Sequence, residues 1–194
     1  MPNLFFTSDT HFGHNNILKL GNKRPFNTIE EHDQTLINNW NKVVGKGDIV
    51  FHLGDFSMNY DQEKIENTLK QLNGQKHLIL GNHDRTKIQY KFLNNNLWQS
   101  VRDYHKLKWT LYNGKEITII LKHFPILEFD GAFRKDSIHL YGHIHDINNY
   151  DDIYNKLGFK AAHIGVDTSS NFKNTAKYSP INIEDIWEHL NGDN

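Results

Sequence analysis

Ile49-Val50-Phe51-His52-Leu53-Gly54-Asp55 decides the fold: an apolar run of strand length breaks at a glycine and delivers an aspartate. The same grammar recurs four times. Leu4-Phe5-Phe6 leads to Asp9 and His11, and His77-Leu78-Ile79-Leu80 leads to Gly81-Asn82-His83-Asp84. Ile117 to Leu121 leads to His123, and Ile138-His139-Leu140-Tyr141 leads to Gly142-His143-Ile144-His145. Mostly apolar runs of this length suit strands buried on both faces. In open α/β sheets, sites gather just beyond the carboxyl ends of the strands. Five runs that obey this placement predict one site assembled from five loops.

Helical patterns fall between the runs. Thr28 opens Thr-Ile-Glu-Glu, a capping box with Glu31, and Ile29, Leu36, Ile37, Trp40, Val43 and Val44 follow at helical spacing. Asp61 opens a second helix, with Ile65, Leu69 and Leu72 on one face and Gly74 just past its end. Asn113-Gly114 between Leu107–Tyr112 and Lys115–Leu121 predicts a hairpin. Ala161 to Val166 reads as a further strand, and Ile183 to Leu190, after Pro180, as a terminal helix. The polar stretch from Asp146 to Lys156 is too short to be read as a linker. Together these elements predict a layered α/β fold whose sheets are not purely parallel.

Length and composition narrow the class. The chain has 194 residues, 22 Lys+Arg against 23 Asp+Glu, 13 His and no Cys. One domain over residues 1–194 is the expectation at this length. A net charge of −1 argues against a nonspecific polyanion binder, which carries a basic excess. Lack of Cys removes disulfides, thiolate metal sites and Cys nucleophiles. No apolar run approaches the roughly 20 residues of a membrane span. Met1-Pro2-Asn3-Leu4-Phe5-Phe6 lacks the basic start of a signal peptide, so a cytoplasmic protein is expected. The histidine count points towards metal or acid–base chemistry.

Asp9-Thr10-His11, Gly54-Asp55-Phe56-Ser57, Gly81-Asn82-His83-Asp84, His123 and Gly142-His143-Ile144-His145 stand in that order. With these five motifs the chain resembles, from residue 4 to 145, the calcineurin-like metallophosphoesterase superfamily. Ser8-Asp9-Thr10-His11-Phe12-Gly13-His14, Arg24-Pro25-Phe26, Leu53-Gly54-Asp55-Phe56 and Tyr178-Ser179-Pro180 make it similar to a small bacterial and phage subgroup. The resemblance implies a four-layer α/β/β/α sandwich with mixed sheets. It also implies a hydrolase that attacks a phosphoester with a hydroxide bridging two divalent metals. Asp9, His11 and His145 would hold one metal and Asn82, His123 and His143 the other, with Asp55 shared. His83 would donate to the phosphate and protonate the leaving alkoxide, and Asp84 would orient His83. The bland alternative for His83-Asp84 is a turn with an Asp cap.

The residue types suit that chemistry. Phosphoester hydrolysis needs phosphate charge neutralised and hydroxide produced near neutral pH, which two cations about 3.5–4 Å apart supply. Adjacent cations need a shared anionic ligand. Imidazole, carboxylate and amide donors favour manganese, with iron, zinc or nickel as the other candidates. Residues two apart in extended backbone project the same way, which would let His143 and His145 reach neighbouring metals. Gly54, Gly81 and Gly142 precede ligands where the chain is expected to turn sharply.

The expected substrate is a small phosphodiester, with cyclic nucleotides among the candidates. A phosphomonoesterase acting on a nucleotide or phosphoprotein is the nearest alternative. A nuclease and a catalytically inactive scaffold are further ones. Retention of His83 argues against the scaffold, and 194 residues leave little room for DNA-engaging domains. No sequence feature marks a membrane partner, nucleic-acid binding or an oligomeric state.

His14, three residues after His11, is read as a substrate contact or an outer support of the site, set against a plain loop hydrogen bond. Arg24 and Arg134 are candidate phosphate contacts, each set against plain surface charge. His32-Asp33 imitates a helical metal motif without its partner histidines and is read as a solvated helix face. His52 is read as facing the core or a helix, and Asp48 as a turn residue. Trp40, Trp98, Trp109 and Trp187 are read as packing.

Overall fold

The computed structural model describes residues 2–19, 24–59, 61–85, 97–145 and 149–192; Asp146 to Asn148, the start of the polar stretch, lie outside them. The five apolar runs are strands β1 (Leu4–Thr7), β2 (Ile49–His52), β3 (Gln75–Ile79), β6 (Glu116–Leu121) and β7 (Ser137–Tyr141). Four further strands are β4 (Ser100–Arg102), β5 (His105–Thr110), β8 (Ala161–His163) and β9 (Ile181–Asn182). The described α-helices are α1 (Ile29–Val43), α2 (Gln62–Gln71), α3 (Asn149–Leu157) and α4 (Ile183–Asn191).

The strands build two mixed sheets, ordered β4-β3-β2-β1-β9 and β5-β6-β7-β8. β1 to β4 pair in parallel, and β9 runs antiparallel to β1. In the second sheet β6, β7 and β8 are parallel and β5 is antiparallel. Side-chain alternation then makes the layers. Leu4, Phe6 and Phe51 of the first sheet face Ile117, Ile119, Ile138 and Leu140 of the second. Phe5, Val50 and Leu78 point the opposite way, onto Leu36 and Trp40 of α1 and Ile65 and Leu69 of α2. On the far side of the second sheet, Ile120 and Tyr141 meet Tyr154 of α3. The result is the expected α/β/β/α order. Each fully buried Ile, Leu or Phe contributes roughly 1.5–3 kcal/mol to holding the layers together.

The helix starts follow their caps. Thr28 Oγ1 accepts the Glu31 N–H at 3.1 Å, and Asp61 Oδ1 accepts the Glu63 N–H at 3.0 Å. Glu31 returns its carboxylate to the Asn27 N–H at 2.9 Å rather than to Thr28, one residue off the ideal box. The hairpin forms, closed by the Gly114 N–H on the Leu111 carbonyl at 2.9 Å. The strand expected over residues 161–166 stops at His163 because the chain crosses to the other sheet. Gly165 bridges Ser8, and the Val166 N–H donates to the Ser8 carbonyl at 3.1 Å. Trp40 and Trp98 are buried, whereas Trp109 and Trp187 pack partly buried against the inter-sheet core. No helix among the described residues is long and apolar enough to cross a membrane.

Candidate metal centre

Each motif sits in the loop that follows the carboxyl end of β1, β2, β3, β6 or β7. These loops are tightly bent. Asp9, His11, Asp55, His143 and His145 take φ of +57°, +52°, +55°, +73° and +54°. Non-glycine residues in this left-handed region cost roughly 1–2 kcal/mol each, and such strain gathers at functional sites. The His143–His145 pair is therefore corrected: a turn with two left-handed residues aims these rings, not strand alternation. The glycines divide in the same way. Gly54 turns with φ +93°, but Gly81 is needed for room, since a Cβ there would lie 2.5 Å from the Asp55 nitrogen.

Two groups of donors result. Asp9, His11 and His145 have ligand atoms within 4.8 Å of one another, and so do Asp55, His123 and His143. Asp55 Oδ2 stands between the groups, 3.8 Å from His11 Nε2 and 3.5 Å from His123 Nε2. Asn82 Oδ1 lies 3.0 Å from His123 Nε2. Metal bonds of about 2.0–2.2 Å place neighbouring donors at such separations. His11 Nε2 is buried without a hydrogen-bond partner. A buried lone pair facing carboxylates, in a set of imidazole, carboxylate and amide oxygen, fits a divalent cation.

The electrostatics ask for positive charge here. Burial pulls His123 down, but its hydrogen bond to Asp55 and the Asp9 and Asp55 charges push it up to about 9. Burial raises Asp55, yet His123 and His11 hold it well below the usual carboxylate range. Burial drives His11 well below its ordinary value, which leaves its ring neutral.

Carbonyl and carboxylate partners fix which nitrogen faces inward. His123 Nδ1–H donates to the Leu53 carbonyl at 2.6 Å, and His145 Nδ1–H to Asp167 Oδ2 at 2.8 Å. In both rings Nε2 is left as the ligand atom. His83, with 40% of its side chain exposed, holds Nε2 3.9 Å from Asp55 Oδ2. His14 sits beside both, its Nδ1 3.4 Å from His11 Nδ1 and its ring centroid 6.5 Å from that of His83.

Three readings change. Asp84 does not serve the His83 ring; its oxygens accept the main-chain N–H groups of Asp55, Phe56 and Gly81 at 2.7, 3.1 and 2.8 Å. The Asp-capped turn describes Asp84 better. Burial and the Asp55 charge push its carboxyl up to about 6 against those donors. Arg24 is neither surface charge nor phosphate contact: it is 3% exposed and its N–H groups are spent on Asp167, His32 and the Asp9 and Thr10 carbonyls. His32 is fully buried rather than solvated. Arg134 is exposed in the loop before β7. Two readings stand as made. His52 packs on the helix side with Nε2 2.9 Å from Thr10 Oγ1, and Asp48 accepts the Asn3 and Gly45 N–H groups in its turn.

Asp167 and His163 escaped sequence reading. His163 lies on β8 with its Nε2 buried, unpartnered and 4.0 Å from Asp9 Oδ2. The signal was available: Ala161 to Val166 is a sixth apolar run, and it delivers Asp167 just as the other five deliver their ligands.

Comparison with known proteins bears on this geometry. The family model described as calcineurin-like phosphoesterase matches residues 2–189. An uncharacterized protein of Methanocaldococcus jannaschii is 32% identical over 189 residues, which are 95% of this chain and 89% of that one. The gene 66 protein of Mycobacterium phage L5 is 34% identical over 135 residues, 64% of each chain. A crystal structure of a protein of unknown function from Aquifex aeolicus superposes with a TM-score of 0.70 at 24% identity. The match covers 96% of this chain and 98% of that one, a likeness of fold.

Proposed function

Because this chain belongs to the calcineurin-like phosphoesterase family, whose reaction is metal-dependent phosphoester hydrolysis, we propose a phosphodiesterase for small substrates, cyclic nucleotides among them. Two divalent cations, manganese favoured, would be held by Asp9, His11 and His145 on one side and Asn82, His123 and His143 on the other, sharing Asp55. When bound, they supply Lewis acidity to phosphate oxygens and lower the pKa of water. The observation that carries this reading is the place of Asp55 Oδ2, within 4 Å of a histidine from each donor group.

This chain's own side chains do the rest. His83 is the exposed imidazole at the mouth, placed to donate to a phosphate oxygen and pass a proton to the leaving alkoxide. His14 steadies His11 from outside the donor set. Arg24 has no N–H left for substrate, and the imidazoles of His83 and His14, side by side next to the donor groups, are the donors we assign to the phosphate. Donors that carry no permanent charge suit a singly charged diester better than a doubly charged monoester.

The test is turnover at matched manganese and two salt concentrations, with bis-nitrophenyl phosphate, nitrophenyl phosphate, a cyclic-nucleotide panel and duplex DNA. Small diesters should be cleaved fastest. A preference for the monoester favours phosphomonoesterase activity instead, and DNA cleavage that collapses with salt favours a nuclease.

A further inference from the structure

Arg24 is at the centre of a buried polar chain that bonds the Asp9 carbonyl, the Thr10 carbonyl just before His11 and, through Asp167, His145, but no donor of the other cation group. Its Nη2–H groups reach the Asp9 carbonyl at 2.6 Å and Asp167 Oδ2 at 2.8 Å, and its Nε–H reaches Asp167 Oδ1 at 2.8 Å. Nη1 reaches the Thr10 carbonyl at 3.0 Å and His32 Nε2 at 2.8 Å. Because Arg24 donates, His32 Nε2 must accept, and its Nδ1–H then goes to Asp33 Oδ1 at 2.7 Å. Asp33 Oδ2 closes the chain on the Gly13 N–H at 2.9 Å. From Asp167 the chain continues to His145.

Three ligand placements hang on this one guanidinium. Asp9 and His11 flank Thr10 in left-handed backbone that the clamp on two successive carbonyls holds in place. His145 is turned by Asp167, whose carboxylate Arg24 grips through both oxygens, the planar fork geometry that Lys cannot reproduce. The second group has other supports, Asp84 beneath Asp55 and the Leu53 carbonyl behind His123, and the links between the groups, His143 N–H to Asp9 Oδ2 and His11 N–H to the Asp55 carbonyl, both at 3.0 Å, do not pass through Arg24 or Asp167.

We propose that Arg24 and Asp167 are positioning residues for the cation held by Asp9, His11 and His145, and that the affinities of the two cations are therefore set by separate parts of the chain. The inference rests on the two-cation reading above. Loss of an outer partner of a metal-bound histidine typically costs 10–100-fold in metal affinity. Asp167→Asn keeps the size of the side chain but removes its charge and one of its two acceptor oxygens, so it cannot accept from both the Arg24 fork and His145; Arg24→Lys keeps a charge and removes the fork.

Manganese titration followed by calorimetry and electron paramagnetic resonance separates the outcomes. Wild type should bind two ions with an exchange-coupled spectrum. Asp167→Asn should weaken one ion 10–100-fold, leave the other within about threefold, and show an uncoupled six-line spectrum at one equivalent. Arg24→Lys should do the same, and the metal-free melting temperature of Asp167→Asn controls for folding. Equal weakening of both ions, or of neither, overturns the inference while the two-cation reading stands. A wild type that binds one ion overturns both.

Discussion

Asp84 supports Asp55 through the backbone: its Oδ2 accepts the Asp55 N–H at 2.7 Å, while Asp55 Oδ2 faces His11 and His123. The same carboxylate gathers the N–H groups of Phe56 and Gly81, so one buried side chain ties the loop after β2 to the loop after β3.

Asp84→Ala should therefore act as a structural lesion. Three buried main-chain donors lose their acceptor, and each such loss costs on the order of 1–3 kcal/mol. Urea denaturation of the metal-free protein should show a loss of about 3 kcal/mol or more. A midpoint within error of wild type would return Asp84 to the role of orienting His83.

Asp55→Asn should weaken both cations together. It removes the negative charge between His11 Nε2 and His123 Nε2 that would let two positive ions lie side by side. Elemental analysis after equilibrium dialysis measures this, and retention of one tightly held ion argues against a shared ligand.

His83→Ala should leave metal content unchanged and lower kcat by about 10²–10⁴, the usual contribution of a general acid. The loss should shrink for nitrophenyl esters, whose leaving group needs little protonation. Equal losses for good and poor leaving groups would assign His83 to phosphate binding alone. Asp48→Asn, in a turn at the far end of β2, is the silent control.

His139 should contribute to acid sensitivity. Fully buried on β7, it donates Nδ1–H to the Ile120 carbonyl at 3.1 Å and accepts the Ile126 N–H on Nε2 at 3.3 Å. Burial holds its pKa down to about 4, from an ordinary value of 6.5. The unfolded chain thus takes up a proton that the native state refuses, so stability falls as pH drops from about 6.5 towards 4. The slope from one such group is about 1.4 kcal/mol per pH unit. His139→Gln should flatten the stability profile in that window, and an unchanged slope from denaturation at stepped pH would reject the assignment.

The five strands that lead into the motifs were legible because apolar runs such as Ile117–Leu121 are buried on both faces and stop at a polar cluster. Thr28 and Asp61 announced their helices through the N–H groups they cap. Helix α3, with Asn149-Tyr150-Asp151-Asp152, hid in polar sequence because over residues 150–157 only Tyr154 is buried. Strand β9, two residues long, has too little pattern to show. The contact of Arg24 with Asp167 spans 143 residues, and a lone arginine gives no local sign that it will be buried. For His143 and His145 the spacing marks a pair, but their left-handed backbone is a property of the loop's closure and leaves no mark in residue type.

Strand β1 has neighbours from opposite ends of the chain: Phe5 pairs with Val50 on one edge and with Asn182 on the other. On the ribosome, β1 emerges long before β9, so a nascent chain carries one open edge of Leu4-Phe5-Phe6 until residue 182 has been made. An exposed apolar edge is a template for pairing with another chain. Truncation before Ile181 should thus convert a hydrolase fold into an aggregation-prone one, and a chaperone that covers β1 has the whole length of synthesis in which to matter.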